Sequence, residues 1–504
     1  MATEQTSDAD YDAFLDEVRR ITNVEQAGMA LSWDQQVMMP EGGTPARSKQ
    51  LSTLSTLSHD LLTSDEMGAS LDAFEGAEMD DEQSAVVREV RRQYDRADSV
   101  PSDLVEQISE AASEALPVWK EAKANDDFEH FAPTLERLVE LKREYAEHVD
   151  PDADPYAVLF ADYEPYLDLD TAERVLERLR DELVPLVEEI QASDADLTTR
   201  REAFPDTYDA ETQEAMVREA LTTLGYPWDR GRLDTAPHPF STGNQFDARV
   251  TTRFDEADPL DALTSTIHEF GHATYTLGLP DEHYGTPLGS HRNLSVHESQ
   301  SRLWENHVGR TRAWWEQFLP TLHDHFPSTT DLGVDAVYEA ANQVFTDNLI
   351  RVEADELTYH MHIILRFEIE RDLISGDLDV ADVPEAWNDK MEEYLGVRPE
   401  TDSEGCLQDI HWSHGNFGYF PTYSLGSVLA AQLYAAAEAD VPDLNAKTMA
   451  GEFEPLHEWL TENVHRHGQR YTTDELVEVA TGQPYTADYF VEYAKAKYGE
   501  LYDL

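Results

Sequence analysis

The chain has one cysteine in 504 residues, Cys406, which rules out an intrachain disulfide and gives no sign of an oxidising compartment. Positive charge is scarce: 37 Lys plus Arg face 103 Asp plus Glu, a formal net charge of −66. Such a surface repels phosphate backbones and anionic lipid headgroups, which argues against nucleic acid or membrane as partners. Apolar runs are short, none near the roughly 18 residues of a membrane span, and the N-terminal MATEQTSDAD lacks the basic and apolar stretches of a secretory signal. The expectation is a soluble, cytoplasmic protein. Lysine is the scarcer cation, 8 against 29 Arg, unlike the Lys and Glu enrichment of hyperthermophile proteins. The uncompensated carboxylates repel one another in dilute buffer and are screened where the Debye length falls to about 3 Å, near 1 M salt, which points to a high-salt cytoplasm.

Apolar residues still make up 40% and aromatic ones 10%, too much for a disordered polyanion and enough for a large core. Length alone allows about three domains, but no fixed-period repeat or long linker divides the chain. The clusters MMPEGGTP at 38–45 and DPDADP at 150–155 separate helices only, so 1–504 reads as one domain. Phe14, Val18 and Ile21, and again Val175, Leu176, Leu179, Leu183 and Val187, recur at helical spacing among charged residues. One segment departs from this: over 246–254 Phe246, Ala248, Val250, Thr252 and Phe254 alternate with Asp247, Arg249, Thr251 and Arg253. It predicts a strand that either pairs with an extended peptide substrate or is a structural edge strand guarded by charge.

The helix expected next contains His268-Glu269-Phe270-Gly271-His272, capped by Asp258 with Pro259 at its first position and ended by Gly278 and Pro280. Two histidines four apart project from one face and can both reach one zinc ion. Glu269 lies about 100° further round, where a carboxylate can take a proton from activated water. The alternative is a surface helix with two solvated histidines. A catalytic zinc takes three protein ligands, and the metzincin third position, 278, is Gly. Glu298, in Ser295-Val296-His297-Glu298-Ser299-Gln300, is the next candidate, with His297 as a rival; Ser295-x-x-Glu298 also reads as a capping box that needs no metal.

Six motifs follow in order: His238-Pro239-Phe240, Asp247-x-Arg249-x-Thr251, His268-Glu269-x-x-His272, His297-Glu298-Ser299-Gln300, Ile350-Arg351-Val352-Glu353-Ala354-Asp355, and Gly405-x-x-Gln408-Asp409-x-His411-Trp412. Together they resemble the thermostable carboxypeptidase Taq family of metallocarboxypeptidases. Trp33-Asp34-Gln35 and Met39-Pro40 extend the likeness to nearly the whole chain. The resemblance implies a mainly α, single-domain fold of two lobes around a deep cleft, with a small β-sheet beside the active site. It also implies one divalent metal, zinc or cobalt, a homodimer, and broad-specificity removal of single residues from peptides with a free C-terminus. On matching positions it makes His268, His272 and Glu298 the ligands, Glu269 the general base and Arg351 a substrate-binding residue; Asp247 and Arg249, on the predicted strand, are further substrate-binding candidates. His291-Arg292-Asn293, just before the third-ligand helix, is a local departure.

An exopeptidase needs a fixed cation for the substrate's carboxylate, and the fork of Arg351 suits that task; the plainer reading is an ion pair with Glu353, Asp355 or another acid. His411, Tyr419 and Tyr423 lie in an unusually glycine-rich segment, 405–426, as candidate oxyanion donors or simply packing aromatics. His360 and His362, two apart on a helix, face different directions and make no second metal site. Cys406 has no base partner and is no nucleophile. The competing functions are an endo-acting oligopeptidase with a similar cleft and a catalytically silent helical binding protein.

Overall fold

The computed structural model describes residues 8–504; the first seven residues of the acidic N-terminal segment lie outside the described residues. Among the described residues are 21 α-helices and one three-stranded sheet in a single, mainly α domain. None of the helices is long and apolar enough to cross a membrane. The expected amphipathic patterns form helices. On Leu169–Ala192 the residues Ala172, Val175, Leu176, Leu179, Leu183, Leu186, Val187 and Ile190 are buried, one stripe facing the main core. Phe14, Val18 and Ile21 of the helix Asp8–Val37 instead join Met67, Leu71, Phe74 and Val86 in a smaller N-terminal core. The DPDADP cluster ends one helix and starts another, because the Asp154 carboxylate accepts from the backbone N–H of Tyr156 and Ala157 at the N-terminus of Pro155–Phe160.

The sheet corrects the reading of 246–254. Strand β1 (Gly231–Thr235) runs parallel to β3 (Asp247–Thr252), and β2 (Ser241–Asn244) runs antiparallel along the other side, in the order β1-β3-β2. β3 is therefore central, both its edges are taken, and it is neither an edge strand nor open to a peptide. The alternation holds for Asp247 to Val250 and then fails: Thr251 is buried, its hydroxyl accepting from Phe240 N–H and donating to Phe240 C=O, while Phe246 is 46% exposed.

The motif helix (Pro259–Gly278) packs on this sheet. Asp258 accepts from the Leu260 N–H, Pro259 takes the first turn, and the helix stops at Gly278 before Pro280, as its sequence predicts. Its opposite flank meets the ligand helix (Leu294–Arg302), with Gly271 at the crossing: a methyl there would collide with the backbone of Gln300 and Ser301. The ligand helix is held from the other side by Pro421–Asp440, where Gly426 abuts the Glu298 side chain. Glycine at both crossings sets how near Glu298 comes to the histidines.

Candidate active site

At the joint of these helices, His268, His272 and Glu298 offer one ligand atom each, all within 4.8 Å of one another. Glu298 Oε2 lies 3.7 Å from His268 Nε2 and 3.4 Å from His272 Nε2. Both Nδ1 atoms are engaged: His268 Nδ1 donates to Glu305 Oε2 at 2.9 Å and His272 Nδ1 donates to the His297 carbonyl at 3.0 Å. That fixes the tautomers so that both Nε2 lone pairs face the shared space, the arrangement metal-binding imidazoles use. Two imidazole nitrogens and one carboxylate oxygen form a donor set that suits a divalent cation with room for water.

Charge around the cluster is tightly paired. Burial opposes ionisation of Glu298, but Arg302, whose Nε donates to Oε1 at 2.8 Å, together with His268 and His272, holds the carboxyl far below its usual range. Glu305 sits in a π-helical stretch, Leu303–Gly309, and binds Arg310 at 2.6 Å and Arg302 at 3.2 Å besides His268; such stretches often mark functional sites. Glu269 is 7% exposed, and burial pushes its carboxyl up against the pull of His268 and His272.

The rival readings of the ligand helix are overturned. Its N-cap is Asn293, accepting from Val296 N–H. Ser295 donates both its N–H and its hydroxyl to Glu164, so Ser295 and Glu298 form no capping box. His297 is outside the cluster: its ring stacks on His272 at 4.4 Å, and its contribution to the site is its carbonyl. Arg292, in the departing tripeptide, is fully buried and makes a bidentate pair with Glu89 that ties this loop to the helix Asp81–Ser99.

A cavity of about 1370 Å³ opens beside the cluster, and His268, Arg302, Glu305, Arg351 and Tyr359 all line it. Arg351 is not paired with Glu353 or Asp355. Its Nε and Nη2 bind Asp409 at 2.8–3.2 Å, and Nη1 donates to the Tyr359 hydroxyl at 3.0 Å. Three of its five N–H groups are thus used and two remain. Asp409 also pairs with the buried Arg366 at 2.6 Å; burial opposes its ionisation, but Arg366 and Arg351 hold it far below the usual carboxylate range.

His411, Tyr419 and Tyr423 cluster next to Arg351. The His411 and Tyr419 rings stack at 5.5 Å, Tyr423 OH donates to Tyr419 OH at 3.2 Å, and the Arg351 guanidinium lies 5.5 Å from the Tyr423 ring. Burial pushes His411 down to about 4. Neither these three nor Asp247 and Arg249 are among the cavity's lining residues; Asp247 and Arg249 pair with each other, and Arg249 lies over the Trp33 ring at 4.3 Å. His360 bonds Ser424, and His362 is buried without a partner for either nitrogen among the described residues. Cys406 is buried, its thiol pushed well up by burial and then by Asp402.

Sequence reasoning missed Glu305, Arg302, Tyr359 and Asp409 as members of the site. Arg302 and Glu305 stand one and two turns after Glu298, a helical spacing that could have flagged them.

Residues 13–498 match the family described as carboxypeptidase Taq (M32) metallopeptidase. Thermostable carboxypeptidase 1 of Pyrococcus furiosus is 39% identical over 483 residues, covering 95% of this chain and 96% of that protein. Thermostable carboxypeptidase 1 of Thermus thermophilus is 38% identical over 520 residues, covering 99% and 100%. Among solved structures, the M32 carboxypeptidase from Deinococcus radiodurans R1 superposes with a TM-score of 0.95 at 38% identity, over 99% of this chain and 100% of that one.

Proposed function

We infer the mechanism from one premise: the chain belongs to the carboxypeptidase Taq (M32) metallopeptidase family, and it is a metal-dependent carboxypeptidase. We propose that His268, His272 and Glu298 hold the metal, zinc being the ion that two imidazoles and one carboxylate suit best. A bound divalent cation supplies Lewis-acid chemistry, acidifying water and polarising a carbonyl. Glu269, one residue after His268 and shielded from solvent, receives the proton on its carboxylate and returns it to the leaving amine. The two unused N–H groups of Arg351 bind the substrate's terminal carboxylate, while Asp409 and Tyr359 hold the guanidinium still. Neutral His411 and Tyr419 donate toward the developing oxyanion; the Tyr423 hydroxyl donates a hydrogen bond to the Tyr419 oxygen and so leaves the Tyr419 hydrogen free.

The observation that carries this reading is that one cavity is lined both by His268 of the ligand cluster and by Arg351. A peptide C-terminus bound to Arg351 brings its last amide toward the cluster, which accounts for removal of single residues. The test is mass spectrometry of a peptide ladder incubated with the metal-loaded protein. Free-acid peptides are expected to shorten stepwise from the C-terminus and their amides to persist; equal cleavage of both would identify an endopeptidase.

Glu305 orients His268 without touching the ligand space. Glu305→Gln is expected to weaken metal binding by about 10–100-fold in competition with a chelator, and unchanged affinity would remove it from the site.

We further propose one catalytic domain whose two lobes flank the cavity, working as a homodimer in a salt-rich cytoplasm. The dimer rests on the family likeness, the salt on the charge of −66. Melting temperature is expected to climb by many degrees from dilute buffer to molar KCl as repulsion is screened; a flat series would refute the salt assignment.

A further inference from the structure

The helix Tyr359–Ser375, buried on almost every side, holds the segment carrying His411, Tyr419 and Tyr423 at three levels. His360 Nδ1 lies 2.9 Å from Ser424 Oγ, Arg366 pairs with Asp409, and four residues on stands Glu370. Glu370 is fully buried, and among the described residues no Lys, Arg or His forms an ion pair with it; the nearby Arg366 and Arg371 pair with Asp409 and Glu173 instead. Its carboxylate is filled by three donors: Trp412 Nε1 at 2.8 Å on Oε1, and Gly418 N–H at 3.0 Å and Tyr156 OH at 3.1 Å on Oε2.

The choice of side chain is informative. An isolated buried carboxylate is costly, and burial pushes this one up to about 7 against the pull of its donors. Glutamine would replace one acceptor by a donor, facing N–H groups that need acceptors; only a carboxylate accepts at every position. Two of the donors, Trp412 and Gly418, directly adjoin His411 and Tyr419 and bracket the turn between them. Gly418 has φ +86°, and a side chain there would collide with the Phe160 backbone, so the turn has little freedom to move as a body.

We propose that Glu370 is a positioning residue for the reaction: by fixing Trp412 and Gly418 it sets where His411 and Tyr419 stand beside Arg351. The proposal rests on the donor role given above to those two side chains. It assigns the charge of Glu370 to geometry, since Glu370 touches neither the cavity nor the ligand cluster.

The experiment is a double-mutant cycle between Glu370→Gln and His411→Ala, read as kcat and KM on a free-acid peptide with metal content measured in each variant. Glu370→Gln is expected to lower kcat by roughly ten- to a hundredfold with KM and metal content held, the loss typical of a displaced catalytic group. Combined with His411→Ala it should add little beyond His411→Ala alone, because it acts through the same group. Trp412→Phe, which removes one donor, should shift kcat the same way by less, and it keeps the test open if Glu370→Gln does not fold. Parental kcat in Glu370→Gln, or losses that multiply in the double variant, would overturn the proposal. Parental kcat in His411→Ala would instead refute the role given to His411 and the proposal with it.

Discussion

Glu269→Gln should leave the protein folded and metal-loaded while peptide hydrolysis falls by about a thousandfold, within the range that removal of a general base produces. The amide is nearly isosteric with the acid, so the packing of the motif helix is undisturbed. Metal content is preserved because Glu269 is outside the ligand cluster. What disappears is a group able to accept a proton and hand it on. Burial already pushes the Glu269 carboxyl up against the pull of both imidazoles, so it takes up a proton more readily than a solvated glutamate does. Hydrolysis at the parental rate in this variant, measured with metal present, would show that the proton leaves by another route.

The second large effect belongs to Arg351. Arg351→Ala is expected to lower kcat/KM on free-acid peptides by roughly a hundredfold, as truncating one partner of a desolvated charge pair does. The variant also deprives Asp409 of one of its two arginines, so stability will fall. The informative quantity is therefore the ratio of free-acid to amidated cleavage, which a stability defect leaves untouched. That ratio should collapse toward one. Arg351→Lys should restore little of it, because ammonium keeps the charge and loses the fork that Asp409 and the substrate share. An unchanged ratio in Arg351→Ala would place the carboxylate site elsewhere.

The parts of this molecule that could be read from sequence are those where local rules coincide. In the motif helix an N-cap, a first-turn proline, an apolar stripe and the His-x-x-x-His spacing all fall within Asp258 to Gly278, and the helix begins and ends there. For Glu298 spacing alone left His297 and a capping box as rivals; the capping box gives way to Asn293 and Glu164, which no pattern near residue 298 announces. The strand shows the limit differently. Period two identified β3, yet it says nothing about neighbours, and the two strands that close its edges decide whether a peptide could pair with it. For Arg351 the expected ion-pair partner was Glu353, Asp355 or another acid, and locality could not say which: the partner, Asp409, is 58 residues away. Glu305, Glu164 and Glu370 were hidden among 103 acidic residues, since nothing in the sequence separates a buried carboxylate from a solvated one until the fold surrounds it with donors.

The central claim is that His268, His272 and Glu298 jointly hold one divalent ion per chain. Metal stoichiometry after exhaustive dialysis, taken on the parental protein and on Glu298→Ala, tests it most directly. The account predicts one equivalent in the parental protein and almost none in the variant; a full equivalent retained by Glu298→Ala would contradict it.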